Sequence, residues 1–152
     1  METKEKAIEV LNDLIEINND RIDGFDRASK ELGEGDSDLK SLFSKFASDS
    51  RRNVQELSAA VSLAGGEVET GNSASGTIHR AWLDVKATFS GHDRKSILEE
   101  CERGEDAIKK AYRDALTEDN GLSTQYSQLI VQQQQVINEG HDRIKALRDS
   151  QV

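Results

Sequence analysis

The stretch from residue 8 to residue 32, IEVLNDLIEINNDRIDGFDRASKEL, decides the fold class. Its apolar residues Ile8, Leu11, Ile15, Ile22, Phe25 and Leu32 are separated by threes, fours and sevens, the period of a helix with one buried stripe. Glu9, Asp13, Glu16, Asp20 and Asp23 form an acidic face opposite. Thr3 is placed to cap the start of this helix and Gly33 to stop it, so a helix over 4–33 is expected.

The same reading extends to the rest of the chain. There is no proline in 152 residues, where average usage of about 5% would give roughly seven or eight. Glycines gather in a few places, at Gly33/Gly35, Gly65/Gly66, Gly71/Gly76, Gly91 and Gly121. Long helical segments therefore lie between these clusters. A second helix over 38–65 carries Leu39, Phe43, Phe46, Leu57, Ala60 and Ala64, with Asp36 or Ser37 as its cap. A short helix over 76–89 carries Ile78, Trp82, Val85 and Phe89. A third long helix over 93–117 carries Leu98, Cys101, Ile108, Tyr112 and Ala115. The last, over 122–149, carries Tyr126, Ile130, Ile137, Ile144 and Leu147.

Four helices of about 25–30 residues each span about 36–45 Å at 1.5 Å per residue. The first and last pairs have short connections, which favour antiparallel neighbours. The long interval between the second and third long helices suits a return along the bundle. The expected fold is thus all-α, a single domain over 1–152, with up-down-down-up connectivity and a long crossover that contains the short helix.

Charge and composition narrow the function. Twenty basic against 29 acidic side chains give a formal net charge of -9, which repels phosphate backbones and argues against a nucleic-acid binder. Apolar runs stop at three residues, so neither a membrane span nor a signal-peptide core is expected. A lone cysteine, Cys101, excludes an internal disulfide framework and suits a reducing cytoplasm. It lies on an apolar stripe and reads as a small hydrophobe.

The informative positions are those where the stripes turn polar. Extending each heptad through mid-helix brings Asn18, Ser50, Asn53, Glu105, Gln133 and Gly140 inward, with His141 beside the seam. These residues are expected to form one polar layer. Buried polar groups must be hydrogen-bonded, and a buried carboxylate needs a proton, a cation or a metal. One reading of the layer is a metal centre, for iron or another divalent ion, with Glu105 and His141 as ligands. The other is a hydrogen-bonded network that pairs Glu105 with His141, Arg51 or Arg52. As a purely structural layer it would tolerate Glu105→Gln.

The segments LNDLIEINNDRIDGF, SRRNVQEL, AGGEVE, GTIHRAWLDVKA, ILEECERGEDAIKKAYRDAL and HDRIKALRD resemble a bacterial family of ferritin-like four-helix-bundle domains of unknown function. The resemblance implies a ferritin-like bundle and a bacterial cytoplasmic source. The wider ferritin-like group uses a Glu from each of two helices and a Glu-x-x-His from each of the other two. This chain has Asn18 in the first helix, Ser50-x-x-Asn53 in the second and Asn138-x-x-His141 in the last, so a complete di-iron set is missing.

The leading expectation is a nonenzymatic, stress-associated accessory protein that acts through an unknown protein partner, with no cofactor. The stress association is implied by the fold group. The alternative is a weak metal-binding or oxidative-protection protein with a degenerate ferritin-type site. A small-ligand binder using the polar layer is a third class, and a homodimer through an exposed helix face would suit a bundle.

Overall fold

The computed structural model describes residues 2–68, 94–117 and 124–150. Within them the chain is all-α, with four long helices and no strand: α1 (Glu2–Glu31), α2 (Ser37–Leu63), α3 (Arg94–Thr117) and α4 (Thr124–Asp149). The expected helix over 76–89, with His79 and Trp82, and His92 beyond it, lie outside the described residues.

The helix ends show which local signals act. α1 begins at Glu2, so the helix already includes Thr3, the expected cap position. Gly33 does not end α1 in a left-handed turn either, since its φ is -82°. It opens a single 3₁₀ turn over Glu34–Asp36 that leads into α2. Asp36 precedes α2 but makes no side-chain cap. Its carboxylate is drawn instead to Arg94, 3.1 Å away. The far end of α2 closes as a Schellman motif, with Gly65 N–H donating to the Ser62 carbonyl at 3.0 Å and Gly66 N–H to the Val61 carbonyl at 2.9 Å. Gly65 takes φ 84°, which glycine adopts without steric penalty. Gly66 lets the chain pass close to α1, because a β-carbon there would lie 2.7 Å from Ile8.

Helix directions follow from who meets whom. Asn18 and Arg21 of α1 reach Asn53 and Phe46 of α2 in reversed order. They also reach Tyr112 and Glu105 of α3 in reversed order. Tyr112 and Asp106 of α3 likewise meet Gln133 and His141 of α4. α1 is therefore antiparallel to α2 and to α3, and α3 to α4, which leaves α2 and α3 running the same way. Arg94 at the start of α3 meets Asp36 and Asp38 at the start of α2, as that arrangement requires.

The core runs between the helices as the stripes lead one to expect, with Leu11, Ile15, Phe25, Phe43, Leu57, Leu98, Cys101, Ile108, Ile130, Ile137 and Ile144 buried. Each large aliphatic or Phe side chain buried this way contributes about 1.5–3 kcal/mol. On α1 the buried arc is wider than the expected stripe. Leu14, Ile17 and Ala28 are enclosed, while Ile8 and Ile22 sit at the edge of the core. α1 packs on two neighbours, α2 and α3, and so must bury more than one row of side chains. The same cause buries Asp20, which the sequence assigned to the acidic outer face.

Candidate functional site

Midway along the bundle, the apolar packing gives way to a layer of polar side chains from all four helices. Asn18, Ser50, Asn53, Glu105 and Gln133 are all buried there. The structure joins them through two residues that the sequence reading did not place in the layer, Arg21 and Tyr112.

Arg21 is fully buried and holds Glu105 through both carboxylate oxygens, with Nε to Oε1 at 2.7 Å and Nη2 to Oε2 at 2.9 Å. This two-point geometry is the strongest side-chain ion pair available. The guanidinium carbon also lies 5.3 Å from the ring centres of both Phe25 and Phe46, so its faces rest on aromatic surface. The partners expected for Glu105 are thus corrected. Arg51 is exposed and reaches Asp26, Arg52 reaches Asp49, and His141 points elsewhere. Arg21 wins because it lies on the buried arc of α1, whereas Arg51 and Arg52 are exposed.

From Arg21 a directed chain of hydrogen bonds crosses the core. Nη1 donates to Ser50 Oγ at 3.1 Å, and that hydroxyl donates to Asn18 Oδ1 at 2.9 Å. Asn18 Nδ2 donates to the Tyr112 hydroxyl at 2.8 Å and to the Leu14 carbonyl at 2.8 Å. Tyr112 donates to Gln133 Oε1 at 2.7 Å. Gln133 Nε2 donates to the Asn53 carbonyl at 3.3 Å and to Glu56 Oε1 at 3.1 Å. Asn53 returns a bond to Asn18 Oδ1 at 3.2 Å. The chain begins at a guanidinium and ends at a carboxylate, so its bond dipoles align and reinforce one another.

Burial raises the Tyr112 pKa above the ordinary tyrosine value, against the pull of the Asn18 hydrogen bond and the Arg21 charge. The phenol is therefore held neutral and available as a donor. Burial also raises Cys101 well above the ordinary thiol value, and the nearby Glu105 and Glu100 charges add to it. A thiol in that state is a poor nucleophile.

Space is as restricted as the bonding. A β-carbon on Gly140 would lie 2.8 Å from Arg21 Nη2 and 3.1 Å from Glu105 Oε2. Glycine at this inward position of α4 is what allows the ion pair to fit.

Glu105 and His141 do not assemble as a pair of metal ligands, because Arg21 takes both Glu105 oxygens. His141 instead lies at the seam between α3 and α4. Its Nε2 is 2.5 Å from Asp106 Oδ1 and its Nδ1 is 3.2 Å from Asp142 Oδ1. Glu102 stands beside it, and one ligand atom from each of Glu102, Asp106 and His141 falls within 4.8 Å of the others. Glu102 and Asp106 were absent from the sequence reading.

Both missed members of the layer had a signal. Arg21 occupies the heptad step between Leu14 and Ala28, both buried, and Tyr112 lies seven residues after Glu105. Reading the stripe as apolar passes over the first and reads the second as hydrophobe alone.

No curated protein matches the chain in sequence. A family model does, over residues 6–118, which takes in Asn18, Arg21, Ser50, Asn53, Glu105 and Tyr112 of the network. The chain therefore belongs to the family of the domain of unknown function DUF2383.

Proposed function

We propose that this chain is a ferritin-like bundle without a reaction centre, a nonenzymatic accessory protein that binds a protein partner through its outer faces. The order of helix directions supports the ferritin-like reading, since such bundles join two antiparallel pairs by one long connection.

The observation that carries the nonenzymatic reading is the Arg21–Glu105 pair. Ferritin-like carboxylate bundles gather metal between inward-facing acidic side chains. Here a guanidinium belonging to the protein occupies the inward carboxylate, and Ser50, Asn18, Tyr112 and Gln133 satisfy one another. A layer closed in this way sets helix register. Function then falls to the surface, where Glu9, Asp13 and Asp23 of α1 are exposed and the net charge of -9 favours a basic partner face.

Two measurements test this. Ferrous iron oxidation should run no faster with the protein than without it, and acceleration that disappears in Glu105→Gln would overturn the reading. A partner co-purified from its source should be lost on reversing Glu9, Asp13 and Asp23 to Lys. A partner retained by that variant would remove the acidic face from the proposal.

A further inference from the structure

We infer that the seam between α3 and α4 holds a site for one first-row divalent metal ion, with His141 Nε2 and the carboxylates of Glu102 and Asp106 as its protein ligands. The site is separate from the mid-bundle layer and does not use Glu105.

The donors come from two helices and meet because of their register. Glu102 and Asp106 are four residues apart and share one face of α3. His141 faces them from the antiparallel α4, and the candidate ligand atoms all lie within 4.8 Å of one another. Around an ion at about 2.0–2.2 Å from each ligand, neighbouring donor atoms sit roughly 3–3.5 Å apart. Small side-chain movements would therefore close the set. Asp106 is free to make them, its side chain being 59% exposed, while Glu102 and His141 are held at the seam with 11% and 9%.

The imidazole supplies a second observation. Both of its nitrogens face carboxylate oxygens, Asp106 at Nε2 and Asp142 at Nδ1. A neutral imidazole has one N–H and can satisfy only one of them. With the hydrogen on Nδ1 and donated to Asp142, the Nε2 lone pair points toward Asp106 and Glu102, an arrangement completed by a cation. A carboxylate on the far nitrogen is the usual device for orienting a metal-binding histidine. Glu102 Oε2 is buried and paired with Arg148 Nη1, so an ion would share this carboxylate with a guanidinium.

A set of one imidazole and two carboxylates suits Zn²⁺ or Mn²⁺ and leaves positions for water. Arg148 competes as a fixed positive charge on Glu102, so the site is expected to be of moderate affinity.

Calorimetric titration of the purified protein with Zn²⁺, and separately with Mn²⁺, tests the inference. The expected result is one ion per chain. Asp106→Asn alters an exposed side chain and should leave the fold intact while weakening binding at least tenfold. His141→Gln should abolish binding, Asp142→Asn should weaken it by about tenfold to a hundredfold, and Arg148→Gln should tighten it. The ring signals of His141 should shift on saturation. Absence of binding would overturn the site and leave His141 as a hydrogen-bonding link between Asp106 and Asp142. Binding of several ions, unmoved by Asp106→Asn and His141→Gln, would also overturn it, as general attraction to an acidic surface. Binding lost in a Glu105→Gln protein that keeps its helical circular dichroism, but kept in Asp106→Asn, would place the metal in the central layer, and would count against the proposed function as well.

Discussion

Gly140 on α4 lies against the guanidinium of Arg21 on α1 so closely that a β-carbon would stand 2.8 Å from Nη2. The contact runs across the bundle and joins its first and last helices at the ion pair. It makes a helix-interior glycine, ordinarily unfavourable by about 1 kcal/mol relative to alanine, the residue the core requires.

Gly140→Ala should therefore destabilise the protein despite the gain in helix propensity. Arg21 cannot swing aside, since Glu105 holds it by two bonds and Phe25 and Phe46 flank it. Overpacking of this kind costs about 1–3 kcal/mol. Urea unfolding followed by circular dichroism measures it, and a midpoint above that of the unmodified protein would contradict the packing argument.

Removing either half of the Arg21–Glu105 pair should be more severe. Each single change, Arg21→Met or Glu105→Gln, strands a buried charge and should cost about 3–5 kcal/mol. The tolerance of Glu105→Gln expected of a purely structural layer is thereby reversed. A neutral amide is easier to bury alone, but here it leaves the fully buried Arg21 without its counter-charge. The double variant Arg21→Met/Glu105→Leu should recover most of the loss. A double-mutant cycle in urea built from Arg21→Met, Glu105→Leu and their combination checks this, and additive losses would show that the two side chains are not coupled.

Tyr112 is both donor and acceptor in the layer, so Tyr112→Phe leaves Gln133 Oε1 and Asn18 Nδ2 each short of a bond. The expected loss is about 1–3 kcal/mol. Its pKa, raised by burial, also has a sign in pH. The folded state favours the neutral phenol, so this contribution is whole below pH of about 10 and declines as pH rises through that value toward the folded pKa. Ultraviolet difference titration of the protein against Tyr112→Phe should place the missing transition above the ordinary tyrosine range.

At the end of the bundle the pH dependence runs the other way. Arg94 donates to both oxygens of Asp38, at 3.0 and 2.7 Å, and this hydrogen bonding lowers the Asp38 pKa to about 2. The folded state favours the carboxylate, so the contribution is whole above pH of about 4 and is lost as pH falls toward 2. Asp38→Asn should flatten the acid limb of a stability–pH profile between those values. The two profiles should converge below pH of about 2, where Asp38 is protonated in both states.

The sequence by itself determined the helices, their amphipathic stripes and the heights at which those stripes turn polar. Those properties follow from a local period of 3.6 residues and from the absence of proline, which every segment carries within itself. Asn18, Ser50, Asn53, Glu105 and Gln133 were legible for that reason, as interruptions of an otherwise apolar row. Only the tertiary structure decided what each interruption touches. Periodicity gives the face of a helix but neither its rotation against three neighbours nor how far a long side chain reaches. Arg21 was thus hidden in the row between Leu14 and Ala28, and His141, one residue from the inward Gly140, turned out to face Asp106 across the seam. The partner of a buried charge is settled by packing between helices distant in sequence, and Glu105 finds its partner 84 residues away on α1.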